Sequence, residues 1–299
     1  MAWPDGSPAW PPPPSGGGLP VLELDPPTYT TPSAGDYVIG GYHDFDGVDE
    51  RIDFGRITAC EVTTGSEWTV SLWAKRTGSQ NVFFSIADAQ NRIVIYENTT
   101  NQLAVNFRLA NQNYNVSRNS VLLSDWVHIF VISDGSDLSL YIDGSLVAFN
   151  STSGTYPTAT QTWTASTRVR IGAISTGFYA SAQIAEVAMW STDQSANVAA
   201  IYNSRARHDL MDLTTPPDLF YAPLTSYGDD PGSGGSVAEV VGNNNGTGVN
   251  METADAVIPT PTTVTSTLTK ALDIATSVVT STKVEEVPSG GGGTGSSFP

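Results

Sequence analysis

The 299-residue chain is acidic, with 30 Asp and Glu against 13 Lys and Arg and a formal net charge of −17. Phosphate binding needs clustered Lys and Arg, so this balance argues against a nucleic-acid partner. Cys60 is the single cysteine, which excludes an intrachain disulfide and a cysteine-based zinc site. The N-terminal stretch lacks the pattern of a secretory signal, and no stretch approaches the ~18 apolar residues of a membrane span. We therefore expect synthesis in a cytoplasm and no membrane partner.

Residues 1–41 form a segment rich in proline and glycine, in which PPPP favours polyproline II and SGGG favours flexibility. We expect an extended arm here rather than a folded domain. Its apolar residues are candidates for an assembly surface, because an arm that carries tryptophans gains by covering them against another protein. These candidates are Trp3, Trp10, Leu19, Val21 and Leu22.

The stretch FDGVDERIDFG, residues 45–55, predicts a strand, a turn and a second strand. Its alternation assigns Val48, Ile52 and Phe54 to a core. The acidic residues are assigned to solvent, namely Asp46, Asp49, Glu50 and Asp53.

Two interpretations of the acidic residues around this turn stay open. Asp44, Asp46 and Asp49 could supply oxygen ligands to calcium, which prefers closely spaced carboxylates. Alternatively, Asp46 caps the turn by accepting hydrogen bonds from backbone amides, and its neighbours are solvated. We favour the capping role and expect no cofactor unless calcium binds here.

From residue 42 to about residue 215, short apolar strands alternate with polar turns, a spacing typical of a β-sandwich. The predicted strands are Trp68–Arg76, Asn81–Asp88, Asn91–Asn98, Gln102–Leu109, Asp125–Ser133, Leu138–Phe149, Arg168–Ser175 and Ala182–Trp190.

Two local signals add detail to this pattern. Asp143 and Gly144 supply the positive φ angles that a tight hairpin turn needs. Further along, Ser191 or Thr192 is expected to cap a short helix. The helix would place three apolar residues on one side, namely Val198, Ile201 and Tyr202.

Two segments follow the predicted sandwich. Residues 216–256 combine a strand candidate with an Asn- and Gly-rich loop. Residues 257–299 are rich in Thr and Val without core-forming bulk and are expected to form a C-terminal arm. Within that arm, residues 264–279 predict an isolated strand or a marginal helix.

Four blocks of sequence, taken in order, resemble the laminin-G-like, concanavalin-A-like jelly rolls. They are FDGVDERIDFG, WTVSLWAKR, WVHIFVISDGSDLSLYIDGSLVA and VRIGAISTGFYASAQIAEVAMWSTDQSANVAAIYN. The resemblance spans about residues 42–205 and implies an all-β fold. The expected architecture is a jelly-roll sandwich of two antiparallel sheets with one short helix, flanked by extended N- and C-terminal arms.

The sequence departs from the family's pattern in two places. Family members often carry glycine and an Asp-Glu pair in the penultimate strand, whereas Ala182 and Ala185 stand here, which argues against a metal role at that strand. Residues 219–251 resemble the strand and loop that usually open such a domain. They either return to pair with the sandwich or begin a second unit. We favour pairing, because a lone strand leaves its backbone groups unsatisfied.

Aromatic residues in polar, loop-like surroundings are candidates for stacking on sugar rings, as lectin-like jelly rolls do at their loop edges. These candidates are Tyr156, Trp163, Phe178 and Tyr179. The alternative is that each one tucks over the rim of the core. The tryptophans inside strand patterns are assigned to the core, namely Trp68, Trp73, Trp126 and Trp190.

Catalysis finds little support in the sequence. His43, His128 and His208 are the only histidines, and no nucleophile elbow or metal-binding His pair accompanies them. Related glycosidases use paired carboxylates on one strand. Asp49 and Asp53 have such a spacing but straddle a turn, so we expect a protein that is not an enzyme.

The combination of a laminin-G-like domain with Pro- and Gly-rich arms resembles accessory structural proteins of tailed bacteriophages. The resemblance implies a virion structural protein, made in the host cytoplasm and anchored on the particle by its arms as a capsid decoration or cement protein. Its partners would be other virion proteins and copies of itself, with a trimer as one arrangement. The alternative is a carbohydrate-binding adhesin or tail component that attaches to a cell-surface glycan.

Overall fold

A computed structural model describes residues 41–79, 81–98, 100–119, 121, 123–159, 162–175, 178–205, 209–224 and 234–257. The strands of these residues, in chain order, are β1 (Tyr42–Asp46), β2 (Arg51–Asp53), β3 (Trp68–Arg76), β4 (Asn81–Ala87), β5 (Arg92–Glu97), β6 (Leu103–Leu109), β7 (Gln112–Arg118), β8 (Val127–Ser133), β9 (Leu138–Ile142), β10 (Ser145–Val147), β11 (Ser151–Gly154), β12 (Arg168–Ile171), β13 (Ala173–Ser175), β14 (Phe178–Tyr179), β15 (Ser181–Trp190), β16 (Phe220–Ala222), β17 (Ser236–Val237), β18 (Gly246–Val249) and β19 (Ala256–Val257).

These strands build two large antiparallel sheets. The eight-stranded sheet has the order β10-β9-β8-β3-β15-β1-β19, and β16 also pairs with β15. The nine-stranded sheet has the order β11-β7-β6-β5-β4-β12-β2-β18-β17, and β13 and β14 form a separate hairpin. The predicted all-β sandwich of two antiparallel sheets is therefore confirmed.

The main core lies between the two sheets, because side chains alternate along each strand. The nine-stranded sheet contributes Ile93, Ile95 and Phe107, and the eight-stranded sheet contributes Trp68 and Leu72, all almost fully buried. Trp68 meets Phe107 edge-on, with ring centroids 5.5 Å apart. The four tryptophans assigned to the core are all buried, at 0–8% exposure.

The hairpin between β9 and β10 forms as predicted. Asp143 has φ 47° and Gly144 has φ 75°, the two positive values of a tight hairpin turn. The Asp143 carboxylate also accepts a hydrogen bond from the His128 backbone N–H at 2.9 Å. A side chain at position 144 would collide with the Tyr202 ring, since a Cβ there would lie 2.7 Å from it.

The short helix, α1 (Val198–Tyr202), begins later than predicted and has no side-chain cap. A 3₁₀ turn, Ser195–Asn197, precedes it. Ser191 does not cap because its backbone N–H and its hydroxyl both donate to the Asp218 carboxylate. Val198 and Ile201 are buried, as the pattern predicted.

The turn between β1 and β2 corrects two of the predicted assignments. Val48 is 68% exposed, whereas Glu50 is only 5% exposed. The reason is local: Asp46 Oδ1 accepts from the Val48 N–H at 2.7 Å, while the Asp46 N–H donates to Glu50 Oε2 at 2.6 Å. These two bonds fold Glu50 inward and turn Val48 outward, while Ile52 and Phe54 enter the core as predicted.

Residues 219–251 contribute strands to both sheets. β16 pairs with β15, and β18 pairs with β2. The loop immediately before β18 is organised by Glu239, whose buried carboxylate accepts hydrogen bonds from the backbone N–H groups of Tyr221, Val241, Gly242 and Asn244 at 2.8–3.1 Å. The boundaries of the four predicted segments stay a prediction.

Cys60 lies in a 3₁₀ turn, Thr58–Cys60, and is fully buried in the core between the sheets. Its thiol donates to the Leu219 backbone carbonyl at 3.5 Å. Burial raises the pKa of this thiol far above its ordinary value, with smaller contributions from nearby carboxylates.

In the described part of the chain, no helix has both the length and the apolar character to cross a membrane.

Candidate functional site

The candidate site lies on the outer face of the nine-stranded sheet, the face that points away from the core. On β5, Ile93 and Ile95 enter the core, so Arg92, Val94 and Tyr96 point the other way. The strand register places Val94, Asn106 and Asn115 side by side across β5, β6 and β7. Three neighbouring strands therefore present polar side chains to one patch.

The hairpin of β13 and β14 closes one side of this patch. Ser85 Oγ donates to the Ala173 carbonyl at 2.7 Å, and Arg170 Nη1 donates to the Ile174 carbonyl at 2.8 Å. Arg170 is itself held by Asp53, with its Nε 2.9 Å from Asp53 Oδ2. These contacts fix the start of the hairpin against the sheet.

Sheet and hairpin together border an open pocket of about 270 Å³. Its wall is partly apolar, from valines and hairpin residues, and partly polar, from an arginine, a tyrosine and two asparagines. The lining residues are Val82, Arg92, Val94, Tyr96, Asn106, Asn115, Ile174 and Phe178. This mixture of an apolar wall and a few polar groups is usual for small-molecule sites.

Asn106 is the most buried polar residue in the lining, at 5% exposure. Its Nδ2 donates to Asn113 Oδ1 at 2.7 Å and also to Asn115 Oδ1. These two bonds fix the amide so that its Oδ1 is buried without a hydrogen-bond partner. A buried acceptor left unsatisfied costs about 1–3 kcal/mol, which a ligand donor would remove.

Arg92 faces Arg108 directly across β5 and β6. The Nε of each arginine is buried without a hydrogen-bond partner, although Arg108 Nη2 donates to the Ala89 carbonyl at 2.7 Å. Burial lowers the pKa of Arg92, and the charge of Arg108 lowers it further. Burial raises the pKa of Tyr96, and Arg92 partly opposes that change. The pocket therefore has a positive edge.

The predicted sugar-stacking residues fall in different places. Phe178 is 61% exposed and lines the pocket, so its ring is available to a ligand. Tyr179 follows it on β14 and is half-buried, outside the lining.

Trp163 and Tyr156 follow the alternative interpretation, in which loop aromatics cover the core. Trp163 is 4% exposed, and its indole N–H donates to the Val62 carbonyl at 2.7 Å, so its ring faces are unavailable to a sugar. Tyr156 is half-buried with its ring against Phe107, and its hydroxyl lies 2.5 Å from Ser133 Oγ. Neither residue lines the pocket.

The polar residues of the pocket were missed by sequence reasoning, which searched the loops rather than the strands. Arg92 and Asn106 lie in NRIVIYEN and QLAVNFRL, both of which were correctly assigned as strands. The available signal was period-two alternation, since a large polar residue between buried ones points to the opposite face of the sheet.

The calcium candidates do not converge. Asp46 Oδ1 accepts from the Val48 N–H, the capping role favoured above, and Asp44 Oδ2 accepts from Gln183 Nε2 at 3.2 Å. Asp49 contributes its backbone carbonyl to Arg51 at 3.4 Å. Across the residues that the structure describes, no three His, Cys, Asp or Glu side chains are grouped so that they could hold a metal ion.

Among the described residues, His43, His128 and the buried Glu186 lie away from the pocket lining. His43 is 1% exposed, and burial lowers its pKa to about 4. His128 belongs to β8 of the other sheet and hydrogen-bonds through Nε2 with Ser71 Oγ at 2.8 Å. Glu186 is buried at the irregularity in β15, with φ 50°. Two sets of predicted residues lie outside the described part of the chain. They are His208 and the assembly residues Trp3, Trp10, Leu19, Val21 and Leu22.

Solved structures of similar fold share little sequence with this chain. A Bacteroides ovatus protein proposed to bind carbohydrate is 14% identical, with 70% of this chain and 58% of that chain covered and a TM-score of 0.47. Domains LG4-5 of the mouse laminin alpha1 chain are also 14% identical, with 55% and 45% covered and a TM-score of 0.39. The chain thus spans about half the length of both structures.

Domain 4 of an extracellular arabinanase from Geobacillus stearothermophilus, solved with arabinotriose, is 17% identical, with 48% of this chain and 69% of that chain covered and a TM-score of 0.37. A comparison with curated proteins gave no match. The family model of the concanavalin A-like lectin/glucanases superfamily, of laminin G type, matches residues 47–198, just over half of the chain. The chain therefore belongs to the concanavalin A-like lectin/glucanase superfamily.

Proposed function

We propose that this protein is a carbohydrate-binding domain that uses the pocket on the outer face of its nine-stranded sheet. The observation that carries the proposal is the pair of unsatisfied polar atoms there, Asn106 Oδ1 and Arg92 Nε. One is an acceptor and the other carries a donor N–H. A sugar hydroxyl both donates and accepts, so neighbouring hydroxyls of one ring match this pair.

The remaining lining fits the other part of a sugar ring. Phe178 offers an exposed aromatic face, on which the C–H groups of a pyranose can pack. The volume of about 270 Å³ lies just below the range for drug-sized ligands. The site therefore suits one sugar unit of a longer chain that continues into solvent.

The chemistry of the lining favours binding over hydrolysis. Glycoside hydrolysis uses two carboxyl groups on either side of the scissile bond. The described residues that line the pocket provide amides, a guanidinium, a phenol and apolar groups, without a carboxyl group. These groups can hold and orient a sugar.

Membership of a lectin and glucanase superfamily favours the carbohydrate-binding alternative over the capsid-decoration role. Attachment to a cell-surface glycan, as an adhesin or tail component, is the corresponding biological role in this proposal. The decoration role stays a prediction about residues 1–41. Its test is whether deleting them abolishes co-sedimentation with undecorated capsids.

A glycan array with the purified full chain, followed by calorimetric titration of the best glycan, tests the proposal. Phe178→Ala and Asn106→Ala should each weaken binding about tenfold, the equivalent of losing one good contact. Leu146→Ala is the matched control for Phe178→Ala, because Leu146 is 64% exposed and lies on β10 of the other sheet. Equal binding by wild type and both pocket variants would refute the proposed site, and no binding to any glycan would refute the function.

A further inference from the structure

Two arginines lie side by side at the edge of the pocket. Arg92 lines it, and Arg108 is its direct partner on the neighbouring strand. Like charges directly opposite each other across a sheet are destabilising. The chain carries 30 acidic residues that could have neutralised them.

No acidic neutralisation of this pair occurs within the described residues. The ion pairs there join Arg56 to Glu61, Arg76 to Glu97 and Arg170 to Asp53. Asp88, the acidic residue near the start of β5, is already engaged, since its carboxylate accepts from the backbone N–H groups of Gln90, Asn91 and Thr164. Among the described residues, no acidic side chain thus pairs with the two arginines, and their positive charge is available to a ligand.

The buried Nε groups indicate which kind of anion the arginine pair could bind. A guanidinium presents Nε and Nη donors in a flat fork that matches the two oxygens of a carboxylate. Arg92 Nε is buried without a partner in a residue that lines the pocket.

We infer that the sugar bound in this pocket is acidic, and that its carboxylate is held by Arg92 with Arg108 contributing positive charge. The inference rests on the proposed function and names the ligand class for the same pocket. The chain's net charge of −17 repels anions at long range, but at physiological salt that field fades within about 8 Å. Within the pocket, the two nearby guanidinium groups dominate.

Calorimetric titration with matched acidic and neutral sugars tests the inference. The probes are trigalacturonate and the same trisaccharide with its carboxyl groups reduced to alcohols, and sialyllactose and the same sugar with its carboxyl group reduced to an alcohol. A charge-assisted hydrogen bond corresponds to roughly 10- to 100-fold in affinity, so the acidic member of a pair should bind that much more tightly. The preference should shrink as salt is raised.

Substitutions separate the charge from the rest of the site. Arg92→Gln should abolish the acidic preference, so that the acidic and neutral members of a pair bind this variant with affinities within about twofold of each other, while Arg92→Lys should retain part of the preference, because it keeps the charge without the fork. Arg118→Gln is the matched control, since Arg118 lies on β7 outside the lining and donates to the Ala148 carbonyl. Thermal unfolding of each variant checks that it is folded.

The outcomes distinguish the two proposals. Equal binding of the acidic and neutral members would overturn the inference and leave the proposed function standing. Binding of a sulfated sugar without binding of either carboxylated one would also overturn it, because the site would then select another anion. If Arg92→Gln retains the full preference, the carboxylate is held elsewhere. Absence of binding to every probe and every arrayed glycan would remove both proposals.

Discussion

The outer faces of the two sheets are built in opposite ways. The eight-stranded sheet is covered by α1 and the turns around it, which bury a second apolar cluster, including Phe130, Trp190, Ile201 and Tyr221. The nine-stranded sheet carries asparagines and arginines on its outer face, where several polar atoms lack partners. One face contributes to stability, whereas the other leaves buried polar atoms unsatisfied at some expense of stability. Substitutions on the outer face of the eight-stranded sheet, the covered face, should therefore change stability. Substitutions on the outer face of the nine-stranded sheet, the open face, should change the affinity for the proposed ligand.

The largest expected effect is on the covered face. Trp190 is fully buried and its indole N–H donates to the Thr215 carbonyl at 3.0 Å. Trp190→Ala should lower the free energy of unfolding by about 3–5 kcal/mol through the cavity that it leaves. Urea unfolding measures this loss, and the folded fraction should keep its glycan affinity. A loss of affinity without a loss of stability would contradict the division of the two faces.

A smaller effect is expected at Glu50, in the turn that joins a strand of each sheet. Burial raises the pKa of Glu50 to about 7, the Asp46 N–H opposes this, and the nearby Asp255 raises it further. The folded protein then holds a proton that the unfolded chain releases above pH 4.5. Stability contributed by this group is therefore present at pH 4.5 and is lost as pH rises to 7, up to roughly 3 kcal/mol.

Glu50→Gln isolates this contribution. The wild type should lose unfolding free energy, relative to the variant, as pH rises from 4.5 to 7. Burial lowers the pKa of His43, so its contribution to the free energy of unfolding rises with pH. This contribution is the same in both proteins and cancels from the difference between them. Parallel pH profiles for the two proteins would show that Glu50 ionises normally.

Glu239 supports the covered face through the loop that it organises, since it accepts from the backbone of Tyr221 and Val241. Glu239→Gln replaces one acceptor oxygen by an amide that faces backbone N–H groups. The expected loss of unfolding free energy is about 2 kcal/mol. Glu67→Gln is the control, because exposed Glu67 accepts a single hydrogen bond from the Asp193 N–H. Equal losses in the two variants would remove the special role of Glu239.

The smallest effect on stability is expected on the open face. Phe178→Ala should change the free energy of unfolding by less than about 0.5 kcal/mol, because the ring is mostly exposed. The same variant should show the tenfold loss of affinity described above. A large destabilisation would mean that the β13–β14 hairpin depends on Phe178 for its own packing.

Sequence reasoning recovered the fold better than the site, for physical reasons. Alternation in segments such as Trp68–Arg76 predicted strands whose bounds agree with β3, because period-two burial is a strong local signal. Strand β7 was missed because only Tyr114 and Val116 are buried along it. The sequence left two interpretations of Trp163 open, because its burial depends on a hydrogen bond to a carbonyl 101 residues away in sequence.

The site itself depended on information that local patterns lack. The proximity of Arg92 and Arg108 follows from the register of two strands, which the turn between them sets. The inward position of Glu50 follows from two hydrogen bonds within one turn. The sequence identified both segments, but only their pairing and turn geometry decide which side chains meet.

The buried thiol of Cys60 makes this chain well suited to site-specific labelling. Cys60 is the single cysteine, and its thiol is both inaccessible and kept protonated by burial. A cysteine introduced on the surface, as in Leu146→Cys, would therefore be the only cysteine to react with a maleimide under native conditions. In the unmodified protein, the rate at which Cys60 itself reacts would report how often the core between the two sheets opens.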